Sequence, residues 1–124
     1  FLKLLPEQLD GIRLRHALEV RHESFQDPAF FALAKQANAA IVFADSDTFP
    51  EIDEPAADFT YARLQRCAED IPTGYDGPAL DRWAERAECW KQRGDVFVFF
   101  ISGAKVRAPA AAQALQQRLG IAPA

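Results

Sequence analysis

The chain has 124 residues, about half of them hydrophobic and a quarter charged, with a formal net charge of -4. That is one domain's worth of chain with ordinary globular composition, and it carries no basic footprint for nucleic acid. No apolar run approaches the roughly 20 residues of a bilayer span, and no basic segment leads into an apolar stretch at the start, so neither membrane nor signal peptide is expected. Two cysteines, Cys67 and Cys89, match no metal-ligand spacing, and reduced thiols in a cytoplasmic protein are the expectation. Cys89, beside Trp90, reads as a packing residue.

Residues 1–10 read as the end of a helix, with Phe1-Leu2-Lys3-Leu4-Leu5 its apolar part and Pro6 its stop. The absence of any methionine suggests a fragment. Four short runs rich in Val, Ile, Phe or Tyr follow as strands, near 16–21, 39–45, 58–64 and 95–101. Two of them, Ala39-Ala40-Ile41-Val42-Phe43-Ala44-Asp45 and Val96-Phe97-Val98-Phe99-Phe100-Ile101, are almost continuously apolar. Such runs predict parallel strands covered on both faces. Between them, Asp27-Pro28 opens a helix through Phe30, Phe31, Leu33, Ala34 and Ala37, and Asn38 ends it. Gly77-Pro78 opens a second with Leu80, Trp83, Ala84, Ala87 and Trp90 on one face, closed by Gly94. Pro109 starts a third, with Ala112, Leu115 and Leu119 inward. The proline-rich, acidic stretch 46–57 shows no helical period and reads as a solvated surface loop.

The strand-helix alternation, with charges at strand ends, suits a β/α barrel. Glu19-Val20-Arg21-His22-Glu23-Ser24-Phe25 resembles the hallmark strand of the domain of unknown function 72 family, also called YecE-like. In order down the chain, Phe43-Ala44-Asp45-Ser46, Asp58-Phe59-Thr60-Tyr61-Ala62-Arg63-Leu64, Gly74-Tyr75 with Leu80 and Trp83, and Val96-Phe97-Val98-Phe99-Phe100 resemble its later segments. The resemblance implies an α/β fold: the C-terminal half of a TIM-type (β/α)8 barrel, about four parallel strands with outer helices. It implies no established activity. This chain has Arg63-Leu64-Gln65-Arg66 where the family has Arg-Leu-His-Gly, and Ile101-Ser102 where many members carry amides.

Alternation sets Glu19 and Arg21 on one face of their strand and Tyr61 and Arg63 on one face of theirs. Asp45 shares a face with Ile41 and Phe43. If these faces form a barrel interior, two acids and two guanidiniums meet at the C-terminal ends of the strands, where β/α barrels do their chemistry. Glu19 and Asp45 would then act as acid or base, Arg21 and Arg63 would hold negative charge, and His22 would move a proton. The competing reading is an ion-pair plug. Tyr61, Tyr75, Ser102 and Lys105 are the substrate-binding candidates, the last two because the loop after the final strand of a barrel, before a helix start, suits an anion. Ser24 lacks a nucleophile motif and reads as a cap, and His16 as structural. No two-histidine metal motif is present; metal ligation by the Glu19 and Asp45 carboxylates or His22 is the minor alternative, and the cofactor is unknown.

Two function classes stand: an enzyme acting on a small anionic or phosphorylated substrate, or a non-catalytic module binding a nucleotide, nucleic-acid end or metabolite. A half-barrel would expose its interior around Ile41, Phe43, Phe59, Phe97 and Phe99, so its own missing N-terminal half or a second copy is expected to cover it.

Overall fold

The computed structural model describes Pro6, residues 8–101 and residues 105–121. The expected start of the chain at 1–5 lies outside the described residues. Residues 8–13 are not helical. Strands β1 (Gln8–Leu9) and β2 (Ile12–Arg13) form a small antiparallel hairpin. Its turn is Asp10-Gly11, both at positive φ, the backbone that a two-residue hairpin turn demands. The Asp-Gly pair is the local signal for this turn, and it corrects the helix expected to run to residue 10.

The main sheet is parallel. Strand β3 (His16–Leu18) pairs with β4 (Ala39–Ile41), and β5 (Phe43–Asp45) pairs with β6 (Phe59–Leu64), which pairs with β7 (Asp95–Phe100). β4 and β5 are consecutive parts of one run, separated only at Val42, whose N–H donates to the Leu18 carbonyl. The first part of that run serves β3 and the second serves β6. Counting the 39–45 run as one strand, four strands therefore follow one another in chain order across the sheet.

Among the described residues three α-helices connect or follow them: α1 (Pro28–Gln36), α2 (Gly77–Lys91) and α3 (Ala108–Arg118). Asp27 caps α1 by accepting the Ala29 N–H, and Asp76 caps α2 through Ala79, each with a proline in the first turn. The α2–β7 connection turns on Gly94 at φ 134°, where an added Cβ would fall 2.0 Å from the Asp58 carbonyl oxygen.

Helix α2 and the sheet share the larger core. Phe43, Ala62 and Leu64 meet Leu80, Ala87 and Trp90, with Val96, Val98 and Phe100 alongside. A second cluster joins Ile41 and Ala34 to Ile52 and Ala56, with Val20, Phe30 and Phe31 against it. Ile41 and Phe43 thus face the helices, which corrects their expected place on the open interior. The opposite face carries Phe59, Tyr61 and Arg63 from β6 with Phe97 and Phe99 from β7. Phe97 and Phe99 are 39% and 41% exposed, and Ile101 just beyond is 42% exposed. The expectation of strands covered on both faces therefore fails at β7, where burial alternates along the strand.

The stretch 46–57 is irregular, as its composition demands, but it is not simply a solvated face. Ile52 and Ala56 are buried in the α1 cluster. Asp53 accepts hydrogen bonds from Arg86 (2.9 Å), Arg93 (3.0 Å) and the Trp90 indole (3.1 Å). Burial works to raise the Asp53 pKa, yet these donors hold its carboxyl below the ordinary carboxylate range. Cys89 is exposed, so it does not serve the packing role expected of it, and no disulfide joins it to Cys67.

Candidate functional site

Glu19 follows directly on β3, and the strand's alternation turns it to the uncovered face with Tyr61 and Arg63. It is joined to Arg63 by an ion pair between its Oε2 and the Arg63 Nη1. This bridge passes over the 39–45 run, whose residues on that face, Ala40, Val42 and Ala44, are small and buried. Small side chains in the middle give the two longer ones room to meet. Arg21 also engages Glu19, with its Nε 3.1 Å and its Nη2 3.0 Å from Oε1. One carboxylate therefore organises two guanidiniums, leaving a net positive cluster at the C-terminal end of the strands. Burial acts to raise the Glu19 pKa, but hydrogen bonds and charge from Arg63 and Arg21 outweigh it and hold the carboxyl below its usual value.

Arg63 has a further property. Its buried Nε has no hydrogen-bond acceptor among the described residues. Tyr61, two residues earlier on the same face, stacks on Phe99 at 5.0 Å between ring centres. At the other end of the strands, Arg15 reaches Asp95 at 2.9 Å and lies over the rings of Phe59 and Phe97. On a flat sheet β3 and β7 would stand three spacings, about 14 Å, apart. The contact requires the sheet to curl toward the uncovered face.

Asp45 is not part of this cluster. It is paired with Leu64 across the sheet and points with Phe43 to the helix side. There its Oδ2 accepts the Tyr75 hydroxyl at 2.9 Å, and Arg66 lies 3.6 Å from Oδ1. The physical reason is the pleat: Arg63 pairs with Ala44, so Asp45, one residue on, must face the other way. Tyr75 is 7% exposed, and burial first, then the Asp45 carboxylate, push its phenol pKa well up. It stays protonated, donating to Asp45 and accepting the Arg66 N–H. Tyr75 is thus enclosed away from the Glu19 cluster, and the pair clips the 65–75 loop to the sheet.

His22 is an N-cap. Its Nδ1 accepts the Ser24 N–H at 3.1 Å and lies 2.8 Å from the Ser24 hydroxyl, at the start of a one-turn helix, Glu23–Phe25. Ser24 is the partner within that turn. His16 bonds the Pro6 carbonyl at the far end of β3. Between the 21–26 turn and the 47–50 loop lies an open cleft of about 460 Å3, lined by Arg21, His22, Gln26, Asp47, Thr48 and Phe49 among others. Arg21 bridges this cleft and the Glu19 cluster, its guanidinium carbon 4.9 Å from the Phe49 ring centre.

Ser102 lies outside the described residues, as does the side chain of Lys105, whose backbone opens a one-turn helix, Lys105–Arg107. Arg107 is committed to the Glu69 carbonyl at 2.8 Å. Sequence reasoning missed the Asp53 clamp and the cleft, both built by the 46–57 loop. The proximity of Asp53 to Arg86, Arg93 and Trp90 is long-range and leaves no local pattern. Among the described residues no group of three or more His, Cys, Asp and Glu is placed to hold a metal ion. No described helix is long and apolar enough to cross a membrane.

A family model described as protein of unknown function DUF72 matches residues 1–124. No curated protein matches the chain. Two solved structures are similar in fold. A DUF72 family protein from Enterococcus faecalis V583 has a TM-score of 0.71 at 19% identity, over 90% of this chain and 49% of that one. One from Thermotoga maritima MSB8 has a TM-score of 0.61 at 21% identity, over 86% and 46%. The chain spans about half the length of each. At such identities the likeness speaks to fold, while the family match covers every residue: the chain belongs to the DUF72 family of proteins of unknown function.

Proposed function

We propose that the Glu19, Arg21 and Arg63 cluster seats a small anionic group, carboxylate or phosphate, at the C-terminal ends of the strands. The observation that carries this reading is the Arg63 guanidinium: one amine on Glu19, and a buried Nε–H with no acceptor among the described residues. A buried donor left unmatched costs about 1–3 kcal/mol, and an anionic oxygen brought against it by a shift of the groups that cover it would satisfy it. Glu19, held below the ordinary carboxylate range, serves to orient both guanidiniums and is a poor proton donor at neutral pH. In an enzyme, another group would have to move the proton, and His22 across the Arg21 side is the candidate. In a binding module, seating alone suffices.

The same reading takes the four strands as the C-terminal half of an eight-stranded β/α barrel. Parallel order, helices on one face, a curled uncovered face and a span of half the solved relatives support it. The half-exposed Phe97, Phe99 and Ile101 would then be covered by further β/α polypeptide, from a longer chain or a second copy.

The test is a titration of the protein with inorganic phosphate and with citrate, followed by NMR shifts or calorimetry. Binding that is lost in Arg63→Ala and weakened at least tenfold in Arg63→Lys is the expected result, because a point charge cannot replace a planar fork. Binding unaffected by both variants would leave the cluster as a structural plug.

A further inference from the structure

The anion seat and the neighbouring cleft share one residue. Arg21 holds Glu19 through its Nε and Nη2 and lies over the Phe49 ring. A ligand whose charged end sits on Arg63 and Arg21 has its remainder directed either along the sheet or into this cleft. The sheet offers the aromatic pair Tyr61 and Phe99, already stacked on each other. The cleft, about 460 Å3, is within the range of small-molecule sites.

Its lining is chiefly polar and mixed in kind. Gln26 and Thr48 offer both donors and acceptors, Asp47 and Glu23 only acceptors. His22 uses Nδ1 for the Ser24 N–H, and among the described residues its Nε2 has no partner. With Nδ1 accepting, a neutral ring carries its proton on Nε2 and donates there. Gln26 donates to the Glu51 carbonyl at 3.3 Å, so the two walls are tied together. Asp47 is 3.1 Å from Arg66 and otherwise open to solvent. Donors and acceptors interleaved in this way match hydroxyl groups, each of which both donates and accepts. Two carboxylates in the lining disfavour a second anionic group.

Resting on the anion seat proposed above, we infer that the ligand is a monophosphorylated polyol or sugar, its phosphate on Arg21 and Arg63 and its hydroxyls in the cleft beside His22, Gln26, Asp47 and Thr48. Two or three added hydrogen bonds in the cleft give an expected gain of roughly tenfold over the bare anion.

The experiment compares inorganic phosphate, ribose 5-phosphate and ribose on the protein by calorimetry, with Asp47→Asn, His22→Ala and Arg63→Ala. Ribose 5-phosphate binding about tenfold or more tightly than phosphate is expected, with ribose alone weak. Asp47→Asn and His22→Ala should each bring the ratio of the two affinities toward one, and Arg63→Ala should abolish both. Thermal melts matching wild type establish that the variants are folded. Equal affinities for phosphate and ribose 5-phosphate would overturn the cleft assignment while leaving the anion seat standing. So would a preference that survives both cleft variants. No binding of either anion would overturn the seat itself, and this inference with it.

Discussion

On one face of the sheet, Phe43, Ala62 and Leu64 meet α2 and are almost wholly buried; on the other, Arg63 is joined to Glu19 while Phe97 and Phe99 stay half-exposed. The same strands supply both sets in alternation. The helix-covered face is close-packed and apolar, with Asp45 its one charge on these strands, and that charge is matched by Tyr75 and Arg66. The uncovered face combines aromatic rings with ion pairs at both ends of the strands. The difference teaches which face holds the fold together and which, in the function proposed above, would take a ligand or a covering polypeptide.

The sharpest way to break this division is to truncate the covered face. Leu64→Ala, at a position 1% exposed, should cost about 2–5 kcal/mol in urea unfolding. A loss below about 1 kcal/mol would show that α2 packs loosely on the sheet. Next comes the clamp on the 46–57 loop. Asp53→Ala leaves Arg86, Arg93 and the Trp90 indole without their shared acceptor, and about 1–3 kcal/mol of destabilisation is expected.

The Asp53 clamp also has a pH signature. Its folded pKa lies below the unfolded value of about 3.9, so the folded state binds fewer protons and is favoured above that pH. The contribution is complete above the unfolded pKa and drains away as pH falls through the folded one. The stability gap between wild type and Asp53→Asn should therefore narrow as the pH is lowered below about 4. A gap constant from pH 6 to pH 2 would mean that the charge of Asp53 contributes nothing.

Smaller effects belong to the uncovered face. Arg63→Lys should alter stability by about 1 kcal/mol or less while impairing anion binding, so the two measurements part company there. Arg15→Gln, which removes an exposed ion pair and two ring contacts, should cost under about 1 kcal/mol, and part of that cost should vanish in high salt. If either variant proved as damaging as Leu64→Ala, the uncovered face would be carrying the fold as well.

Much of this architecture was legible in the sequence, because periodicity and caps are local. Asp27-Pro28 and Gly77-Pro78 mark two helices, and the apolar runs mark the strands. The pairing of Glu19 with Arg63 follows from alternation once the strands are parallel and in chain order, with only small residues on the run between them. Alternation alone leaves open which side of the sheet Asp45 faces until the helix-covered side is known, and Phe43 on Trp83 and Trp90 settles that side. Tyr75 resembled a ligand contact by position alone, and its burial against Asp45 depends on how the 65–75 loop folds back. The Asp10-Gly11 hairpin is legible in its turn pair alone. The Asp53 clamp was not readable, since its donors lie more than thirty residues away.

The break at Val42 has a geometric consequence. Leu18 pairs with Ile41, so Glu19 stands level with Val42, whereas Arg63 pairs with Ala44, two positions further along the same run. The ion pair therefore climbs by two residues while crossing two strands, a stagger of one residue per strand. A closed sheet of eight strands with shear eight has that same average step, and its interior is filled by tiers drawn from alternate strands. Glu19 and Arg63, from alternate strands, would occupy one such tier. In the proposed barrel they make half of it, and the two side chains that would complete the ring would come from the polypeptide that closes the sheet.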